Sequence, residues 1–426
     1  MTRLRAALAL VATTALAGAG LVAPSAHAAE VRSNTVVCPA DRLPPLPFAD
    51  VRRGATADEI ACALGLGVVL GSTSTTFSPQ TSISRGHVAV LVVRAARRAG
   101  VELPTGSAQF SDMESATAEV RDAVQRIAEA DITRGYPDGT FRPFAPLPRD
   151  QAASLLVRLQ QRLEGPTPAP EDCFDDDEGV HQDAIRRLCA LGVSQGSGDR
   201  RYVPRALLSR SQLAAMLVRL LDVDAEKGIV EPLPAVPAYT GTAAAIDDAT
   251  AARMSSSHRE GCPVPLDDLR LLTLRHWGFD GRTHLGEMVV HADAAQAVVD
   301  AFGRLYAART VVERMRLVDE YGADDDRSMA ANNTSAYNCR TVAGSSTWSQ
   351  HAYGRALDLN PVQNPYVTSR SVKPAAGRAY LDRSDVRPGM AVAGGPVVEA
   401  FRASGWGWGG DFSSSKDYQH FSANGR

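Results

Sequence analysis

The chain has no second long apolar run, no excess of charge of one sign and no closely spaced cysteine pair. Each absence excludes a class of protein. Beyond residue 24 no stretch is long and apolar enough to span a bilayer, which argues against an integral membrane protein. A formal net charge of −3 over 426 residues argues against a nucleic-acid partner. Without Cys-x-x-Cys spacing, the six cysteines do not read as thiolate zinc ligands. The last third carries no extended strand-rich repeats, which weakens a purely structural or adhesive role.

The one apolar run that does exist sits at the start. Arg3 and Arg5 precede a small apolar stretch from Ala6 to Pro24, and Ala26-His27-Ala28 reads as a small-x-small cleavage site. A membrane anchor is the weaker alternative, because the run is short and rich in Gly and Ala. Residues 1–28 are therefore expected to be a signal peptide on a secreted protein. The remaining length is too great for one ordinary core and predicts two or more domains.

Three segments share landmarks. They begin at Phe48, Phe110 and Phe174, each opening with Phe-x-Asp. Each continues with a helical apolar pattern, a turn, an aromatic-x-Pro (Phe77-x-Pro79, Phe141-x-Pro143, Tyr202-x-Pro204) and an arginine (Arg85, Arg149, Arg210). A second amphipathic helix closes each unit and carries Val-Arg. A period of about 62 residues marks a repeat architecture. One helix pair cannot bury its apolar face alone, so the three units are expected to pack together.

These units resemble S-layer homology repeats, and "ITRGYPDGTFRP" in the second stands nearest the family pattern. The family's helix start is usually Thr-Arg-Ala-Glu. Here it reads Ser84-Arg85-Gly86-His87, Pro148-Arg149-Asp150-Gln151 and Ser209-Arg210-Ser211-Gln212, keeping the arginine and lacking the glutamate. The resemblance implies binding of an anionic secondary cell wall polymer through Arg85, Arg149 and Arg210. A guanidinium suits a carboxylate because it donates two parallel hydrogen bonds. The plainer alternative is that each arginine only serves a helix start.

The repeats also order the cysteines. Cys62 and Cys189 share one repeat position, each within "CALG", and the second repeat has Ala128 there. Cys38 and Cys173 precede the Phe-x-Asp of repeats one and three. The expected pairs are Cys38–Cys62 and Cys173–Cys189, leaving Cys262–Cys339.

Between Ala225 and His258 the pattern breaks into a Pro-, Ala-, Thr- and Ser-rich stretch, read as a linker. Beyond it, strand-like segments ("MVVHAD", "RALDLN", "YQHFS") alternate with a helix expected over Ala294–Arg309. The expected layout is a leader at 1–28, an N-terminal segment at 29–47, all-α repeats at 48–109, 110–173 and 174–224, a linker at 225–257 and an α+β domain with a small antiparallel sheet at 258–426.

"WSQHAYGRALDLN" holds the candidate chemistry. In a strand, Leu357 and Leu359 face one way and Asp358 the other, while Gly354 allows a turn that brings His351 back to it. A catalytic zinc wants three protein ligands and an open position. His420 in "KDYQHF" supplies the third, with Asp417 left over as a base.

Together, "NNTSAYNCR", "SQHAYGRALDLNPVQNPYV" and "GWGWGGDF…KDYQHF" resemble the zinc D-alanyl-D-alanine carboxypeptidase and dipeptidase family, which includes L-alanyl-D-glutamate peptidases. The similarity runs from about Gly261 to the end of the chain. It implies Zn²⁺ held by His351, Asp358 and His420, Asp417 as base and Arg340 as the group polarising the scissile carbonyl. Ser349 belongs to the same motif, with orienting His351 or plain turn chemistry as its roles. Many members carry glutamate where this chain has the shorter Asp417. Trp406 and Trp408 read as packing residues before groove residues, and Asn360, Asn364 and Tyr366 as loop residues near the pocket. The implied protein is a peptidase of peptidoglycan peptides in the cell wall. The alternatives are an internal L-Ala-D-Glu type cut, or a wall-binding protein with an inactive peptidase domain.

Overall fold

A computed structural model describes residues 35–425 except 53, 74, 165, 166 and 343; the expected leader lies outside the described residues. The N-terminal part holds α1 (Ala55–Gly65), α2 (Arg85–Arg98), α3 (Ala118–Glu129), α4 (Arg149–Glu164), α5 (Gln182–Ala190) and α6 (Arg210–Glu226). The hydroxyls of Ser84 and Thr117 accept the orphan N–H groups of His87 and Val120, and Ser209 forms a capping box with Gln212. In α4 the buried face is Ala152, Leu155, Leu156 and Leu159, at helical spacing.

The main helix contacts run across repeat borders. Helix α2 lies against α3, α4 against α5, and α6 returns to α1, closing a ring of three. The helix pair read from sequence is therefore not the packed pair, because each helix finds its apolar partner in the next repeat. At the centre, Ile83 N–H donates to Leu208 C=O (2.9 Å), Leu208 N–H to Leu147 C=O (2.9 Å), and Leu147 N–H to Ile83 C=O (3.0 Å).

The sequence landmarks all serve these joints. Asp50, Asp112 and Asp176 each accept two successive backbone N–H groups, from Phe77 and Ser78, Phe141 and Arg142, and Tyr202 and Val203. Ser78, Arg142 and Val203 have φ near +60°, a costly conformation for a side-chain-bearing residue, and the charged acceptor offsets that cost. The Phe-x-Asp ring packs on its aromatic-x-Pro partner at 5.3–5.5 Å in every unit. The next joint is made by arginine. Nε of Arg85, Arg149 and Arg210 donates to the carbonyls of Phe141, Tyr202 and Phe77 respectively, at 2.7–3.0 Å. Each guanidinium also lies over that ring, 4.6–4.9 Å from its centre. Such cation–π contacts are worth about 0.5–2 kcal/mol each.

Disulfides join Cys38 to Cys62, Cys173 to Cys189 and Cys262 to Cys339. The stretch 225–257, read as a linker, contains β1 (Gly241–Ala245) and α7 (Asp248–Arg253). Its Thr-Ala-Ala-Ala has no apolar–polar contrast, so its strand character was invisible, and it forms an exposed sheet edge. Before it, the Tyr239 ring packs tilted beside Tyr306 and its hydroxyl donates to Val299 C=O at 2.7 Å. The C-terminal unit thus starts earlier than 258.

The sheet continues with β2 (Leu269–Trp277) and β3 (Thr283–His291), in antiparallel order β1-β2-β3. Helix α8 (Ala295–Ala307) covers it, burying Val298, Phe302 and Leu305 against Leu272, Leu274, Met288 and Val290. Each such side chain contributes roughly 1.5–3 kcal/mol. Short elements follow: β4 (Arg314–Met315), α9 (Asp325–Ala330), β5 (Asn333–Thr334), β6 (Ala356–Asp358), β7 (Tyr366–Val367), β8 (Val372–Lys373), α10 (Pro396–Arg402), β9 (Gly407–Trp408), β10 (Lys416–Asp417) and β11 (His420–Ser422). They form antiparallel sheets β6-β11-β9 and β10-β7-β8, and a parallel pair β4-β5. The single small sheet expected from sequence is thus several.

Candidate metal centre

The centre is built on β6 and β11, where His420 is paired directly with Asp358. Leu357 and Phe421 point the other way into the core, beside Phe401. This is the alternation read from "RALDLN". His351 arrives from a 3-10 turn, Gln350–Tyr353. The Ser349 hydroxyl caps that turn by accepting from His351 N–H at 3.3 Å. Gly354 ends it at φ +64°, where a Cβ would stand 2.5 Å from the backbone N of His291. The turn therefore requires glycine both for its φ and for the space.

The His351 ring is oriented by Nδ1, which meets the Ala336 carbonyl at 2.7 Å. That carbonyl is in place because Ser335 and Asp358 exchange backbone hydrogen bonds of 3.1 and 2.8 Å. With Nδ1–H so used, Nε2 presents a lone pair. It lies 3.3 Å from His420 Nδ1 and 3.4 Å from Asp358 Oδ2, while Asp358 Oδ1 is 3.2 Å from His420 Nδ1. All three side chains are buried.

Burial alone would raise the Asp358 carboxyl, but His351 and His420 hold it well below the usual carboxylate range. Asp417 is opposite in character. Burial first, and then the Asp358 charge, push it up to about 7, with His420 and His351 opposing. Its Oδ1 is buried and has no hydrogen-bond partner among the described residues. Three convergent acceptors beside an unsatisfied carboxylate oxygen fit a divalent cation and its water. Two imidazoles and one carboxylate are a zinc-type donor set.

The other sequence candidates separate. Arg340 donates from Nη2 to Asp325 at 2.7 Å. Its C=O accepts from Ser349 N–H at 3.1 Å, so the chain entering the His351 turn begins beside it. Asp325 was missed in the sequence; it sits among three consecutive aspartates, and nothing local distinguishes it. Trp406 and Trp408 are buried packing residues, and Trp408 Nε1 donates to Tyr418 C=O. Asn360 and Asn364 are fully buried, and both donate to Gly389 C=O. They tie loops together. Tyr366 is half-buried and paired with Asp417 across β7 and β10.

Residues 343–423 match the D-alanyl-D-alanine carboxypeptidase family. That match covers His351, Asp358, Asp417 and His420. Residues 47–89 and 109–153 match the S-layer homology domain. Among curated proteins, the chain is 28% identical to an endoglucanase of Bacillus sp. strain KSM-635, over 41% of this chain and 19% of that protein. It is 27% identical to the surface-layer 125 kDa protein of Lysinibacillus sphaericus, over 32% of this chain and 12% of that protein. It is 28% identical to an uncharacterised cell wall amidase of Bacillus anthracis, over 44% of this chain and 34% of that protein. The chain thus spans a minor part of each relative. The S-layer homology match and the surface-layer relative indicate a cell-surface or cell-wall location. No helix among the described residues is long and apolar enough to cross a membrane.

In the three repeats, the retained arginines are not free side chains at helix starts. Arg85 and Arg149 are buried, and Arg210 is half-buried. Arg85 also donates from Nη1 to Gln151 (2.8 Å), Arg149 from Nη2 to Gln195 C=O (3.0 Å) and Arg210 from Nη2 to Leu70 C=O (2.9 Å). Burial lowers the pKa of Arg85 and of Arg210 from the ordinary arginine value.

Proposed function

We propose that this protein is a secreted, wall-associated zinc metallopeptidase that hydrolyses peptidoglycan stem peptides, of the D-Ala-D-Ala carboxypeptidase type. The observation that carries the reading is the convergence of His351 Nε2, His420 Nδ1 and the Asp358 carboxylate next to the unpartnered Asp417 oxygen. His351, Asp358 and His420 would hold the metal. When bound, zinc would lower the pKa of a coordinated water to about 7 and polarise a carbonyl.

The chain supplies the rest. Asp417 accepts the proton of the attacking water and returns it to the leaving amine, as general base and then acid. Burial and the Asp358 charge raise its carboxyl in the metal-free protein, and a nearby dication favours the carboxylate, the form a base requires. Arg340 donates to the carbonyl oxygen as negative charge develops on it. Ser349 acts on His351 through the backbone of the turn, not through the ring. The repeats hold the enzyme at the wall, with an acidic secondary polymer bound at the joints that contain Arg85, Arg149 and Arg210. The Arg85 joint is the best suited, since its guanidinium also lies 4.8 Å from the Tyr136 ring in the "GYPDGTFRP" loop.

The test is to incubate the full chain with defined muropeptides and weigh the products. A chelator should stop release of terminal D-Ala, and added zinc should restore it. Products cut at an internal L-Ala-D-Glu link would instead make it an endopeptidase. No cleavage with zinc bound would leave a non-catalytic wall-binding protein.

A further inference from the structure

We propose that Asp325 is the positioning residue for Arg340, its carboxylate fixing the direction in which the guanidinium meets the substrate. The inference rests on the reading of Arg340 given above. Arg340 Nη2 donates to Asp325 Oδ2 at 2.7 Å, and among the described residues that is the guanidinium's single hydrogen bond. Its Nε is buried without a partner. An arginine near a reaction centre with one anchor owes its direction to that anchor.

The neighbouring aspartates are otherwise employed. Asp324 caps α9 by accepting from Arg327 N–H at 3.0 Å. Asp326 takes both its contacts, each 3.0 Å, from Lys373 Nζ. Asp325 alone among the three is turned to Arg340. It lies close enough to the centre to feel its charges: burial and Asp358 raise its carboxyl, while Arg340 and His351 oppose them. Like charge nearby disfavours a bare carboxylate, so Arg340 and Asp325 hold each other in place.

Releasing Arg340 returns rotamer freedom that must be lost again when it meets the substrate. That predicts a fall in kcat on the order of ten- to thirty-fold for Asp325→Ala. The test uses the full chain with Asp325→Ala, Asp325→Asn, Asp325→Glu, Arg340→Ala and the double alanine variant. Asp325→Ala and Asp325→Asn should keep one zinc per chain and lose kcat more than they raise KM. Asp325→Glu should recover much of the loss. The double variant should be no slower than Arg340→Ala, because the two residues act as one unit. Additive losses would overturn the proposal. A second readout does not need catalysis: the rate at which phenylglyoxal modifies Arg340, followed by peptide mass. It should rise at least several-fold in Asp325→Asn, and an unchanged rate would overturn the proposal. If Arg340→Ala hydrolyses muropeptides like the parent, the role given to Arg340 fails, while the labelling still decides what Asp325 does.

Discussion

Replacing Asp417 by asparagine separates metal binding, proton transfer and stability in one variant. In the metal-free protein its carboxyl is pushed from 3.8 up to about 7, by burial first and then by Asp358. A raised carboxyl pKa means that the folded state resists ionisation. Stability from this group is complete below pH about 4, falls as pH rises towards 7, and is flat above that. The difference between 3.8 and about 7 corresponds to at most about 4 kcal/mol. An amide in its place cannot ionise, so Asp417→Asn should stabilise the chelator-treated protein at pH 8 by up to that amount, and by almost nothing at pH 4. Zinc should shrink the gain, because a nearby dication favours the carboxylate. Zinc content should stay at one per chain, since the proposed ligands are His351, Asp358 and His420. Turnover should fall about 10²–10⁴-fold. Denaturant melts at pH 4 and pH 8, with and without chelator, measure the first part. Metal analysis and muropeptide turnover measure the rest. Loss of zinc with the fold intact would make Asp417 a ligand, and an equal gain at both pH values would refute the electrostatic argument.

Other outcomes follow from the same geometry. Substituting His351 or His420 with alanine should abolish zinc binding and hydrolysis together, and stoichiometric metal in both variants would sink the ligand assignment. Gly354→Ala should cost at least about 1–2 kcal/mol and weaken zinc binding, because the residue needs positive φ and meets the His291 backbone; a denaturant melt and a zinc titration check it. Removing the Cys262–Cys339 bridge, which closes a separation of 77 residues, should cost roughly 4 kcal/mol on the chain-entropy model, read from the unfolding midpoint. In sedimentation with cell wall sacculi, full-length Arg85→Gln should lose more binding than Arg149→Gln or Arg210→Gln. Equal sedimentation of all three with the parent would leave the arginines as joints of the scaffold alone.

The sequence by itself determined which side chains meet at the centre. Period-two alternation in "RALDLN" puts Asp358 opposite its leucine neighbours, and a glycine is where a turn back to it must come. Those rules act over a few residues, so the string carries them. The landmarks at each repeat position also singled out the cysteine pairs, because three copies show which positions vary together. What the tertiary structure decided was every role set by distant partners. The Ala336 carbonyl that orients His351 is a backbone group with no sequence signature. Asp325 looks like its two neighbours until the fold brings Arg340 to it. The small residues of β1 become a strand only by pairing with β2. Arg149 lies in the repeat nearest the family pattern, yet its guanidinium serves the loop of repeat three, and Arg85 serves that of repeat two. A helix that cannot bury its apolar face within its own unit must borrow a surface from the next, and that exchange reassigns each arginine to its neighbour's loop.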